Sequence, residues 1–259
     1  MAHTIGARIA GDWASCHATC WDAHAPADRG DRELSNQFTK SGYPLGIMVN
    51  THGVRFVDEG ADFRNFTYAA YGKAILQQPG GLAFQIFDAR AARWLRKEEY
   101  GDGIVEKIWA NSADELARKL VPHGLEDVEA LVRTLAAYNH ATHVSAATRK
   151  WDPTVKDGLG TQGLSLPKSN WALPLEVPLL AVTVACGITF TFGGLAIDPD
   201  TSSVLGDESG KPIPGLYCTG EMVGGLWYGN YPGGSGLTAG AVFGRIAGRE
   251  AKKRAELNH

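Results

Sequence analysis

The sequence predicts a mixed fold, α+β grading into α/β, and three observations carry that prediction. Apolar runs of strand composition, LAFQIFD at 82–88 and most of 177–197, alternate along the chain with segments of helical spacing. One helix start is written out at Ser112, and a helix rich in small residues closes the chain from about Leu237. With 259 residues, 44% of them hydrophobic, the chain can bury one large core or two modest ones.

Taken in order, the elements follow from local chemistry. GIMVNTHGVRFVDE, from Gly46, reads as two short strands around a His-Gly turn, hence a hairpin. Arg64 to Gln78 has helical spacing, 82–88 is a strand, and a further helix is expected from Ala89 to Lys97. Ser-Ala-Asp-Glu at Ser112 is a capping box, in which hydroxyl and carboxylate accept from free amides of the first turn. That helix should stop near His123-Gly124. The next one places Leu125, Val128, Leu131, Val132, Leu135 and Tyr138 on one face, the pattern of core packing. Thr142 to Ala172 is rich in Gly, Ser and Pro and is expected to be a long loop or lid. Strands should return at 179–184 and 188–197. The nearly uncharged stretch from Val177 carries Pro178, Gly187, Gly193 and Gly194 among β-branched residues, which suits buried strands rather than a lipid-facing helix.

Charge and cysteine usage exclude several classes. A net charge of -3, from 25 Lys and Arg against 28 Asp and Glu, leaves no footprint for a nucleic-acid backbone or an anionic membrane. The four cysteines, Cys16, Cys20, Cys186 and Cys218, form no CxxC pair and no disulfide framework. MAHTIGARIAGDW lacks a basic start and a long apolar core, so the expected compartment is the cytoplasm. No metal is expected at Cys16, His17 and Cys20, since no second Cys/His cluster completes the set. A GxGxxG match at 158–163 neither follows a strand nor opens a helix, as a dinucleotide-binding turn must.

The strongest signal is PIPGLYCTGE at 212–221, followed by MVGGLWYGNYPGGSGLTAGAVFGRIAG at 222–248. A Pro-Gly turn should deliver a short strand, Leu216 to Thr219, ending on Gly220 and the carboxylate of Glu221, which can accept from ribose-type hydroxyls. Gly233, Gly234 and Gly236 then permit close backbone approach before a helix whose exposed amides suit an electron-rich ring edge or a phosphate. On the residues alone, these glycines serve equally well as turns and close helix packing.

TGE, GG, NYPGGSG and AGAVFGRIAG, preceded by FTFGGLAIDPD, resemble the C-terminal part of the fumarate reductase and succinate dehydrogenase flavoprotein superfamily. Within it the likeness is strongest to tricarballylate dehydrogenase and the flavoprotein half of the CobZ-type cobalamin enzymes. SGYPLGIMVNTHGVRFVDEGADFRNFTYAAYGKAI is similar to the start of that group's substrate-capping region, and WASCHATCWDAHAP to the segment before it. The family's opening strand, GxGxxG turn and helix have no counterpart here, so the resemblance implies a C-terminal half. It implies an incomplete, Rossmann-like FAD-binding domain, with a remnant at 1–15 and a return at 187–259, around an α+β capping domain at 16–186.

The resemblance also implies roles. FAD is the cofactor, with Glu221 at the ribityl or ribose hydroxyls and the backbone of Ser235, Gly236 and Leu237 beside the flavin ring. Carried over position by position, one substrate-binding histidine of fumarate reductases is His17, and the other falls at Phe190, next to Thr191. Their carboxylate-clamping arginine falls at Tyr231 and their proton donor near Arg64. These departures argue against plain succinate or fumarate chemistry. The favoured substrate is tricarballylate-like, oxidised at a carbon-carbon bond beside a carboxylate, with Arg29, Arg32 and Lys40 as further cations. The alternative is a 3-ketosteroid dehydrogenase type, since Tyr231-Pro232-Gly233 resembles the carbonyl-polarising motif of those enzymes. Phe66, Tyr68, Phe190, Phe192, Trp227 and Tyr228 would then supply an apolar slot. A further alternative is a fragment unable to hold FAD by itself. An electron-acceptor protein is the one macromolecular partner the family suggests.

Overall fold

The computed structural model describes residues 1–26, 28, 32–33, 35–142 and 152–257. Its elements are β1 (Ile9–Ala10), β2 (Cys16–Asp22), α1 (Ser35–Phe38), β3 (Ile47–Asn50), α2 (Arg64–Leu76), β4 (Ala83–Asp88), α3 (Ala89–Ala92) and α4 (Lys97–Tyr100). There follow β5 (Ile108–Ala110), α5 (Ala113–Leu120), α6 (Val128–Ala141), β6 (Leu179–Thr191), β7 (Gly194–Leu195), β8 (Ser203–Leu205), β9 (Pro212–Tyr217) and α7 (Ser235–Leu257). They divide into two compact units, Met1–Ala18 with Ile188–His259, and Thr19–Gly187. No helix among the described residues is long and apolar enough to cross a membrane.

The Thr19–Gly187 unit is built on a five-stranded sheet of order β2-β6-β4-β3, with β5 also pairing β6. β3 and β4 pair antiparallel, Ile47 opposite Ile86, and β4 and β6 likewise, Ala83 opposite Val184 through Asp88 opposite Leu179. Side chains alternate across these strands, so each strand feeds two cores. Ile47, Val49, Phe84, Ile86, Leu179 and Ala181 pack with Leu116, Leu120, Leu131, Leu135 and Tyr138 of α5 and α6. Met48, Phe87, Leu180, Val182 and Val184 join Tyr43, Tyr71 and Ile75 on the other side. Burial on both faces explains why these strands read as continuous apolar runs rather than alternating ones.

Several local expectations are revised. The hairpin after Gly46 keeps its turn, but its second arm is one bridge, Val49 to Arg55, because β3 takes β4 as its ladder partner. The helix expected over 89–97 is two short ones, separated by Arg96 in an extended conformation (φ -64, ψ 127). The strands expected at 179–184 and 188–197 are one continuous β6 through Thr191, then the short β7. Gly187 is no break there: a Cβ on it would lie 2.7 Å from the Trp21 indole, so the glycine admits a ring. The capping box forms in altered shape. Ser112 Oγ accepts from Glu115 N at 3.0 Å, while Glu115 Oε2 accepts from the amide of Asn111, one residue earlier than the motif prescribes. The 158–163 glycines lie in irregular chain, with Gly160 pressed against backbone: its Cβ would stand 2.5 Å from Lys168 O.

Lys168 itself is fully buried, donating from Nζ to Pro44 O at 2.8 Å and Gly46 O at 2.5 Å. Desolvation pushes its pKa down to about 8, against the pull of Glu59. Between that value and the unfolded lysine value, the unfolded chain binds the extra proton, so stability rises with pH. Relative to Lys168→Met, the wild-type chain should gain roughly 3 kcal/mol between about pH 8 and 10.4, with no change in the difference below pH 7. Urea denaturation of both proteins across that range measures it; a flat difference would remove the buried charge as its cause.

In the other unit, β1 pairs β7 antiparallel, Ile9 opposite Leu195, and β8 pairs β9, Ser203 opposite Tyr217 with an irregularity before Leu205. Ala7, Leu195, Val204, Cys218 and Val223 form a small core, with Phe243 of α7 packed on it. The closing helix begins at Ser235, and its one buried residue is Ala247. Thr219 Oγ1 donates to Gly240 O at 3.2 Å and Ser202 Oγ to Phe243 O at 3.2 Å, fixing the helix against the preceding strands.

Candidate functional site

In the unit formed by Met1–Ala18 and Ile188–His259, β2, the end of β6 and the turn before α7 bring aromatic side chains into one wall. His17 stacks on Phe190 with ring centroids 4.8 Å apart and planes 3° from parallel, and meets Tyr231 edge-on at 4.4 Å. Phe190 lies 5.1 Å from Tyr231 and 5.5 Å from Trp227, and Phe192 lies 6.0 Å from Trp227. Tyr231, Trp227 and Phe192 are buried. Burial also moves the His17 imidazole below its ordinary pKa, a hydrogen bond to the backbone acting the other way, which keeps the ring neutral at neutral pH.

The start of α7 is tied to this wall. Gly236 N donates to Tyr231 Oη at 2.6 Å, so a first-turn amide holds the phenol oxygen in place while the hydroxyl retains an O–H of its own. A Cβ at 236 would stand 2.9 Å from that oxygen, so the glycine lets the amide reach it without displacing the phenol. Ser235 Oγ donates to Pro232 O at 2.7 Å and accepts from Trp227 Nε1 at 2.9 Å, locking the indole to the helix start. Beside it lies an open groove of about 550 Å³ lined by Trp227, Gly233, Gly234, Ser235, Thr238 and Val242, within the size range of small-molecule sites. Leu237 is 87% exposed. Glu221, on a short 3-10 turn, accepts from the Thr191 amide at 3.0 Å, so its carboxylate is already oriented by β6.

His17, Phe190 and Tyr231 are therefore brought together, Thr191 joins Glu221, and Ser235 and Gly236 join Tyr231. Trp227 and its bond to Ser235 add a member that the sequence offered only as one aromatic among six. Arg64 belongs to the other unit, at the start of α2. It lines a cavity of about 380 Å³ with Ser41, Arg96, Tyr100 and Trp171. Its Nη1 donates to Ser41 Oγ at 3.0 Å and lies 4.0 Å from Glu99 Oε1, which Arg96 Nη1 approaches to 3.1 Å. Glu99 is buried and also accepts from Ser41 N (2.7 Å) and Oγ (2.6 Å). The link between Ser41 and Glu99 has no short-range pattern, since the two lie 58 residues apart, and Arg96 joins them through Glu99.

The other proposed cations fall elsewhere. Lys40 is fully buried, donating to Gln37 O at 2.5 Å and lying 3.6 Å from Asp22 Oδ2, so it neutralises an internal carboxylate and does not face a solute. Arg32 is exposed, and Arg29 lies outside the described residues. Of the six aromatics considered for an apolar slot, Phe190, Phe192 and Trp227 gather here, whereas Phe66 and Tyr68 lie on α2 and Tyr228 is 66% exposed.

Residues 1–237 match a family model described as an FAD binding domain. A probable fumarate reductase, Ifc3, of Shewanella frigidimarina is 32% identical over 260 residues, covering 98% of this chain and 38% of the relative. Among solved structures, the open conformation of a flavocytochrome c3 fumarate reductase is 28% identical with a TM-score of 0.62, covering 98% of this chain and 39% of that one. The 3-ketosteroid Δ1-dehydrogenase of Sterolibacterium denitrificans, in complex with 1,4-androstadiene-3,17-dione, is 25% identical with a TM-score of 0.65, covering 98% of this chain and 45% of that one. The chain spans less than half the length of each of these proteins. It shares their mixed α/β, sheet-based fold, and it belongs to the FAD binding domain family, the flavoprotein superfamily of the fumarate reductases, whose cofactor is FAD.

Proposed function

We propose that the chain carries the ring side of an FAD site and the substrate wall of an oxidoreductase that dehydrogenates a carbon-carbon bond beside a carbonyl. The observation that carries this reading is Tyr231: its hydroxyl is held by the Gly236 amide at 2.6 Å inside a wall of the aromatic rings His17, Phe190, Phe192 and Trp227. The residues fit the cofactor, since the Gly233-Gly234-Ser235-Gly236 turn carries no bulky side chain beside the open groove. Gly233, Gly234 and Ser235 would hold the ring system, and Glu221 the ribityl hydroxyls. Bound FAD supplies the hydride acceptor. The protein's share is proton chemistry and positioning: Tyr231 O–H donates to the substrate carbonyl, which makes the neighbouring C–H acidic, and neutral His17 takes the proton released there.

In this reading the capping region is the unit built on β3, β4 and β6, and the flavin unit is the one that contains α7. A second reading rests on a different observation. Arg64 and Arg96 both line the 380 Å³ cavity, and paired guanidinium groups suit a carboxylate, which favours a polycarboxylate of the tricarballylate type. Reduction of bound flavin under anaerobic conditions separates the two. In the FAD-loaded protein, a cyclic 3-ketone should bleach the flavin while tricarballylate leaves it oxidised. The reverse result, lost on Arg64→Ala, would replace the first reading by the second. The 259-residue chain alone should draw FAD from solution weakly, because the described residues offer no glycine-rich strand-turn-helix for the diphosphate. Tight one-to-one uptake would show that it holds the whole cofactor.

A further inference from the structure

Away from this chemistry, three segments of the Thr19–Gly187 unit converge on one point. His24 lies in the turn after β2, Glu106 in the link between α4 and β5, and His123 at the end of a 3-10 turn closed by Gly124 in the left-handed region (φ +102). His24 Nε2 lies 3.5 Å and His123 Nδ1 3.7 Å from the same oxygen, Glu106 Oε2. The three ligand atoms fall within 4.8 Å of one another, and the two imidazole planes stand 89° apart.

These separations are too long for good hydrogen bonds, which centre near 2.9 Å. The two nitrogen-oxygen separations lie near the edge of a metal polyhedron: with metal-nitrogen and metal-oxygen bonds of about 2.0–2.2 Å in a tetrahedron, neighbouring ligand atoms stand roughly 3.4 Å apart, and with all three atoms within 4.8 Å a small side-chain rotation brings them onto one ion. A second feature points the same way. The other ring nitrogen of His24, Nδ1, faces Asp22 Oδ1 at 3.5 Å, and that oxygen also accepts from His24 N at 2.9 Å. Asp22 is buried and its remaining oxygen lies 3.6 Å from Lys40 Nζ. The backbone bond anchors the turn that carries His24 on this buried carboxylate and sets the carboxylate beside the imidazole's inner nitrogen, the place of an outer partner behind a metal-binding imidazole. His24 and Glu106 are each 52% exposed, so ions and water reach the point where the ligands meet.

We propose that His24, Glu106 and His123 form a binding site for one divalent transition ion of the zinc type, with water in the fourth position and Asp22 as the outer partner of His24. Two imidazoles and one carboxylate select Zn(II) and its neighbours over Mg(II) or Ca(II), which prefer all-oxygen sets. The ion would clip together three segments far apart in sequence, and so stabilise this unit by binding its folded form only.

Isothermal titration of the untagged chain with Zn(II) tests this at neutral pH. The expected result is one saturable site per chain, no heat with Mg(II), and affinity at least tenfold weaker in Glu106→Gln and in His123→Ala. Glu106→Gln is isosteric and exposed, and unchanged near-UV circular dichroism certifies its fold. His52→Ala removes another exposed histidine-carboxylate pair, His52 with Glu126 at 3.2 Å, and should bind as wild type does. Zn(II) should also raise the melting temperature of the wild-type chain and leave that of His123→Ala unmoved. Absence of a one-to-one site, or affinity that survives both variants, overturns the proposal, as does an equal loss in His52→Ala.

Discussion

Glu59→Ala is expected to destabilise the folded chain by about 3–5 kcal/mol, the cost of leaving a buried charge without its partner. Glu59 is fully buried and Arg55 nearly so, with Arg55 Nε 3.1 Å from Glu59 Oε1 and Nη2 2.5 Å from Oε2. The carboxylate also accepts from Met48 N at 2.7 Å, so its loss orphans a backbone amide and leaves the guanidinium without its counter-charge. The guanidinium in turn donates to Leu166 O at 2.9 Å and Pro167 O at 3.2 Å, which ties the 160s segment to the chain after β3. Urea unfolding followed by near-UV circular dichroism measures the change. A loss below about 1 kcal/mol would mean that water reaches the site and the pair behaves as a surface bridge. The double variant Arg55→Met with Glu59→Leu should be less damaged than Glu59→Ala, since an apolar pair leaves no charge behind.

The second large effect is on turnover. Tyr231→Phe should lower kcat by about 10²–10⁴-fold, the usual share of a positioned acid-base group, while flavin binding is retained. Its ring contacts with His17, Phe190 and Trp227 do not involve the hydroxyl, and the Gly236 amide, half-buried at the helix start, can turn to water. The measurement is single-turnover reduction of bound flavin in the FAD-loaded protein, wild type against variant. Equal rates would take Tyr231 out of the chemistry and leave it as wall. A fall matched by loss of the flavin spectrum would assign it to cofactor binding instead.

What the sequence disclosed was what is local. The Ser112 cap, the apolar face of α6 and the start of α7 each depend on residues within a few positions and appear close to where expected, although α5 ends at Leu120 before a 3-10 turn and Leu125 precedes α6, which starts at Val128. Errors arose where one residue type serves two physical ends. Gly187 falls in the gap between the two strands expected at 179–184 and 188–197, yet it lies inside β6 and makes room for Trp21. The break at Arg96 had no flag, because arginine is a good helix former. His17, Phe190 and Tyr231 were legible as separate positions, while Trp227 locked to Ser235, the Ser41-Glu99-Arg96 set and the His24-Glu106-His123 convergence depend on folding alone.

The sheet order has a consequence for how the chain is made. β2, β3, β4 and β5 all precede β6, yet β6 is the strand to which β2, β4 and β5 all pair. On a ribosome, only the β3–β4 pairing of this sheet can form before the chain has grown past Leu179, and Ala83 waits for Val184. Until then the two apolar faces of that ribbon lack their middle, and two strand edges stand open to any other chain nearby. The sheet is therefore completed late and by long-range contacts, the regime of slow folding, in which synthesis on a crowded polysome exposes the protein to mispairing.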